Sequence, residues 1–223
     1  MTRAEAIERY RHLRAASRQH LNAALDFVAK PAVLDYARKL GVVHANTIIL
    51  DDMADFAYVH DLALYTAKEG RSRAIDRYAR SVHPARDSDE AVMLRAAQTA
   101  YFAMCRVEGP HETAGLNIFD LARQKTVRLM DEGFEASMPV GALFASRLQP
   151  VDDFVMTTGA AVPLDRFTLQ DILSNLPFAV KSAAAVVEDY RFQIAAFRAY
   201  LSGETGIRVE HRDFQELLET AVA

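Results

Sequence analysis

The chain has 223 residues, 51% of them apolar and 25% charged, with a formal net charge of −4. These proportions exclude a disordered chain, and the length is enough to bury a sizeable core without disulfides or a structural metal. The weak negative charge argues against bulk, nonspecific binding to DNA.

The N-terminal residues Met1-Thr2-Arg3-Ala4-Glu5 are polar and lack the apolar stretch of a signal peptide. Residues 2–29 read as one long helix, with Ile7, Tyr10, Leu13, Ser17, Leu21, Ala24 and Val28 recurring at threes and fours. Pro31 follows and is expected to push Lys30 out of the helical region. A short helix is expected from Ala32 to Leu40, closed by Gly41 as a left-handed cap. A second strong helical segment is expected over 47–68, striped by Ile49, Met53, Phe56, Val59 and Leu62 and ended by Gly70. Ser72 reads as the cap of a helix through Tyr78. Ser81–Asp87 reads as a loop, and Asp87 or Ser88 caps the next helix, with Asp89 and Glu90 at its positive end.

From about Tyr101 to Leu164 the helical period gives way to short apolar runs between glycines and prolines. Leu116-Asn117-Ile118-Phe119, Thr126–Met130, Leu143–Leu148 and Phe154–Thr158 read as strands. Asp131-Glu132-Gly133 and Asp152-Asp153 read as turns. A small antiparallel sheet or barrel follows from that pattern. Cys105, in Tyr101-Phe102-Ala103-Met104-Cys105, reads as core rather than as a nucleophile. It is the one cysteine, so neither an intrachain disulfide nor a cysteine-based zinc site is possible within the chain, which fits a reducing compartment. Helices resume after Leu164: Asp165 caps Phe167–Leu173, Pro177 opens a helix from Phe178 to Leu201, and a tail helix is expected over Asp213–Val222. The order implies an α+β fold: an N-terminal helical bundle over 1–100, a small antiparallel β module over about 101–164, and C-terminal helices over 165–223 that pack back on the rest.

One stretch resembles a known group. Phe56–Tyr65, Arg77-Tyr78, Gly115–Leu121, Met130-Asp131 and Ala145-Ser146-Arg147-Leu148 with Phe154 resemble uncharacterised bacterial proteins in which a helical part leads into a small β module. The resemblance covers roughly residues 50–165 and implies the architecture, not an activity. Some of those proteins end in a Cys-rich zinc-binding tail, which this sequence lacks.

Three constellations could carry chemistry. Asp51-Asp52-Met53-Ala54-Asp55 resembles the magnesium-binding acidic motif of class I terpenoid synthases, whose carboxylates share a helix face. That family also needs an all-helical bundle and a second acidic motif, for which only Glu188-Asp189 is available. A solvated first turn of a helix explains the aspartates as well. His60-Asp61 resembles the adjacent ligand pair of HD phosphohydrolases, with His44 as the upstream ligand and Asp120 as the later one. The sequence after His60-Asp61, Leu62-Ala63-Leu64, departs from that family, and the alternative is an amphipathic helix carrying both residues on its flank. Two arginine rows, Arg11, Arg14 and Arg18, then Arg73, Arg77 and Arg80, could meet phosphates. Solvated ion pairs with Glu5, Glu8, Glu69 and Asp76 would explain them without nucleic acid.

Together the residues point to a non-enzymatic cytoplasmic interaction or regulatory protein. A protein partner or self-association is expected, and no membrane partner; the apolar faces of the long helices suit a homodimer, but packing within the chain accounts for them better. The alternatives are a metal-dependent phosphohydrolase using His44, His60, Asp61 and Asp120, and a nucleic-acid-associated protein using the two arginine rows. No cofactor is expected, a divalent metal belonging only to the phosphohydrolase alternative.

Overall fold

A capping box starts the first helix, α1 (Arg3–Ala24). The Thr2 hydroxyl accepts from the Glu5 N–H, and the Glu5 carboxylate accepts from the Thr2 N–H at 2.7 Å. The computed structural model of the chain describes residues 1–50, 52–67, 70–176 and 182–203. A short 3₁₀ turn, Leu25–Phe27, leads to α2 (Lys30–Leu40). Lys30 is helical, against expectation. Pro31 sits in the first turn, where a missing N–H costs no helical hydrogen bond. Gly41, at φ 82°, ends α2 in the left-handed conformation.

The helix expected over 47–68 is corrected to a hairpin and a shorter helix. Strands β1 (Val43–His44) and β2 (Thr47–Ile48) pair across Ala45 and Asn46, at φ 46° and 66°. Asparagine tolerates that conformation, and β-branched Thr47 and Ile48 favour extended backbone. The helix that remains, α3, spans Phe56–Tyr65. Then come α4 (Ala74–Ser81), with Arg73 rather than Ser72 at the cap position, and α5 (Asp89–Gln98), capped by the Ser88 hydroxyl.

The strand region is a closed barrel of β3 (Tyr101–Pro110), β4 (Leu116–Asp120), β5 (Lys125–Leu129), β6 (Leu143–Val151) and β7 (Phe154–Pro163). It is not wholly antiparallel as expected. Around the barrel the order is β3-β4-β5-β7-β6, and β5 meets β7 in parallel through Leu129 and Val155. The connection that makes this possible is α6 (Glu132–Ser137). The sequence Asp131-Glu132-Gly133, expected as a hairpin turn, is its N-terminus, with the Asp131 carboxylate accepting from the Gly133 and Phe134 N–H groups at 3.1 and 3.2 Å.

The last helices are α7 (Arg166–Asn175), capped by Asp165, α8 (Ala183–Glu188) and α9 (Tyr190–Leu201). The single helix expected to Leu201 is broken at Asp189, whose extended backbone lets its carboxylate cap α9. Pro177 and the expected tail helix over 213–222 lie outside the described residues.

Four apolar clusters hold these parts together. Cys105, Ile118, Leu129, Phe144 and Leu148 belong to the cluster of the barrel strands. Ala6, Tyr10 and Leu13 of α1 join Met93 of α5 on Phe154 and Met156. Residues of α2, α3, α7, α8 and α9 cover another face around Phe102 and Val162. The fourth cluster joins the end of α1 to α3, α4 and α5. The stripes of α1 and α9 are thus buried within the chain. Among the described residues no helix is long and apolar enough to cross a membrane.

Candidate functional site

The β6 run Phe144–Gln149 is buried at every position, because side chains on both faces of the strand are covered. That alternation carries an arginine into an apolar layer. Arg147 is 3% exposed and meets Asp61 of α3, also 3% exposed. Its Nε lies 3.1 and 3.0 Å from the two Asp61 oxygens, and its Nη2 lies 3.0 Å from Oδ2. Nη2 also donates to Gln193 Oε1 at 2.8 Å, and Gln193 Nε2 donates to the Glu188 carbonyl at 2.9 Å. Thr158 of β7 donates to Asp61 Oδ1 at 3.0 Å. The guanidinium lies 4.3 Å from the Tyr65 ring centre and 5.5 Å from that of Phe102. One ion pair therefore ties α3, β6, β7 and α9 together.

Such a pair is not explained by stability. Desolvating two charges costs about as much as their attraction returns, and apolar residues of similar size often serve as well or better. A polar line continues from it. Tyr65 borders Gln149, whose Oε1 accepts from the Ser17 hydroxyl at 2.7 Å. The Tyr65 hydroxyl and the Gln149 amide nitrogen are fully buried, and neither completes a hydrogen bond of good geometry. Burial raises the Tyr65 phenol far above its ordinary range.

Above this line lies a solvent-open cleft of about 150 Å³. Arg18, Leu21, Asn22 and Leu25 of the α1 side form one wall; Ala57, His60, Asp61, Leu64 and Tyr65 of α3 form another; Thr158 and Ala160 of β7 complete the lining. Arg18 and Asn22 are exposed and have no hydrogen-bond or ion-pair partner among the described residues. His60 is half-buried, packs on Phe56 with ring centres 5.7 Å apart, and likewise has no hydrogen-bond partner there.

Burial depresses the His60 pKa, favouring neutral imidazole in the folded state. The unfolded chain then binds the proton more readily, so this contribution is present above the ordinary histidine value and is lost as pH falls through the folded one. His60→Gln is expected to narrow the stability difference between pH 7.5 and pH 5, read from urea midpoints at each pH. Carboxylates held low elsewhere give both proteins the same acid loss.

The expected metal set is not assembled. His44 is exposed in the β1–β2 hairpin. His60 lines the cleft. Asp61 does not lie on a solvated flank but is taken by Arg147 and Thr158. Asp120 accepts from the Ala122 and Arg123 N–H groups at 3.0 Å each and pairs with the Arg123 guanidinium at 3.1 Å. Among the described residues no three His, Cys, Asp or Glu side chains group as metal ligands. Of the acidic motif, Asp51 lies outside the described residues, and Asp52 accepts from the Ala54 N–H at 2.8 Å.

Five of the six row arginines have partners within the chain. Arg11 pairs with Glu132 at 2.7 Å and Arg73 with Asp76 at 2.7 Å, each holding its carboxylate below the ordinary range. Arg14 bonds the Thr157 carbonyl, and Arg77 bonds the Ser72 and Phe27 carbonyls. Arg80 donates to the Ser72 hydroxyl at 2.9 Å. Arg18 alone, among the described residues, reaches the cleft unpaired. Burial also raises the Cys105 thiol far above its ordinary value, against nucleophilic use.

Sequence reasoning missed Tyr65, Thr158, Gln193 and Asn22. Arg147 carried one signal, a cation inside the apolar strand run Leu143–Leu148. No curated protein and no solved structure matches the chain. The model of a family of unknown function, DUF7986, matches residues 4–210, and the chain belongs to that family.

Proposed function

We propose that this protein is a non-catalytic binding module of regulatory type, and that the cleft between α1, α3 and β7 takes up a small molecule. The observation that carries the reading is the buried Asp61–Arg147 pair directly under that cleft, beneath a rim of unpartnered Arg18, Asn22 and His60. Buried polar groups tend to be retained where a site needs a fixed, polar floor. Here Thr158 and Gln193 hold that floor in one orientation. A binding role rather than catalysis follows from how the acid–base groups are used. Both Asp61 oxygens are committed to Arg147, and His60 has no carboxylate or hydroxyl hydrogen-bonded to its ring among the described residues.

The test is a fragment screen by thermal shift on the full chain, with Asn22→Trp beside the wild type. Asn22 is exposed on α1, so a large side chain there covers the cleft at little cost to the fold. Fragments that raise the wild-type Tm are expected to leave the variant unchanged. Hits that stabilise both proteins equally would contradict the proposal.

A further inference from the structure

We infer that the ligand of this cleft is a compact monocarboxylate: an anionic head held by Arg18 and Asn22, with an apolar body of about benzene size against the leucine and alanine walls. The inference rests on the binding reading above and deepens it. Size comes from the volume of about 150 Å³. An apolar cavity of that order takes up a benzene-sized molecule.

Polarity comes from the walls. Leu21, Leu25, Ala57, Leu64 and Ala160 are apolar and favour an apolar body. Charge comes from the mouth. Arg18 is the cation there without a partner among the described residues, and the negative charge of Asp61 is already matched by Arg147. The field at the mouth is therefore positive and disfavours an amine. A dianion such as phosphate would carry a second charge for which the lining offers no second free cation, against mostly apolar walls. A guanidinium and a carboxylate pair in a planar, two-bond geometry, and Asn22, one helical turn from Arg18, can donate to the same head.

The experiment is a titration of the full chain with sodium benzoate and with benzamide, which share size and shape and differ in charge. It is followed by calorimetry at constant ionic strength, on wild type, Arg18→Gln and Asn22→Trp. Benzoate is expected to bind wild type roughly tenfold more tightly than benzamide, as a charge-assisted hydrogen bond implies. Arg18→Gln is expected to bind the two alike, and Asn22→Trp to bind neither. Benzamide binding wild type as tightly as benzoate, or Arg18→Gln keeping the preference, would overturn the carboxylate assignment and leave the cleft as a site. Neither compound binding while other fragments occupy the cleft would overturn the assignment alone. No fragment of any charge binding there would overturn both.

Discussion

Asp61→Ala is expected to cost about 3–5 kcal/mol of stability, the usual loss when one partner of a buried pair is removed. The variant leaves the Arg147 guanidinium among Tyr65, Phe102 and the α9 residues, with the Gln193 side chain as a remaining acceptor. Replacing both charges, as Asp61→Leu with Arg147→Met, is expected to lose far less, and even to gain, because the desolvation of both ions disappears together. Urea denaturation of wild type, Asp61→Leu, Arg147→Met and the double variant gives the cycle. The single variants should lower the midpoint steeply with little change in slope, and the coupling between the two sites should be large. A loss below about 1 kcal/mol for Asp61→Ala would mean that the guanidinium finds water, and the fixed floor of the cleft would be lost with it.

Gly115→Ala is expected to lose about 3 kcal/mol or more. Gly115 closes the β3–β4 turn at φ 81°, where its carbonyl accepts from the His111 N–H at 2.9 Å. A left-handed alanine costs about 1–2 kcal/mol by itself. An added Cβ would also run into the Leu129 carbonyl and lie 3.0 Å from Met130 Sδ, and overpacking adds about 1–3 kcal/mol. The backbone of β5 cannot yield without disturbing its pairing to β4 and β7. Gly141→Ala is the control. Its φ of 88° carries the same conformational cost, but nothing lies within 4 Å of an added Cβ. A loss of about 1–2 kcal/mol is expected there. Equal losses at the two sites would remove the steric argument.

The strand region was legible because glycines, prolines and short apolar runs signal turns and strands locally. The barrel's closure was not legible, since a parallel meeting of Leu129 and Val155 depends on where α6 carries the chain. Caps were legible where a side chain makes the cap, at Ser88 and Asp165. They failed at Asp131, where the same acidic residues suit a turn or a helix start. A helical stripe through Ile49 and Met53 is set aside by Asn46, the residue that lets the chain turn back into a hairpin. His60 and Asp61 stand out in the sequence for their chemistry, and both line the cleft. The partners of Asp61 are hidden in the sequence, because Arg147 and Thr158 lie 86 and 97 positions further along and no local pattern joins them. Arg18 is one of a row in the sequence, and only the fold separates it from Arg11, which pairs with Glu132 of α6, and from Arg14, which bonds the Thr157 carbonyl of β7.

The most direct test of the binding account is a map of where a ligand lands. Backbone amide shifts of the isotopically labelled full chain would be followed during a titration with benzoate and with the best hits of the fragment screen. The account predicts shifts concentrated in residues 18–25, 57–65 and 158–160, and their loss in Asn22→Trp. Saturable shifts centred elsewhere, such as the β1–β2 hairpin or the Asp120 turn, would contradict it, as would ligands that never perturb those three segments.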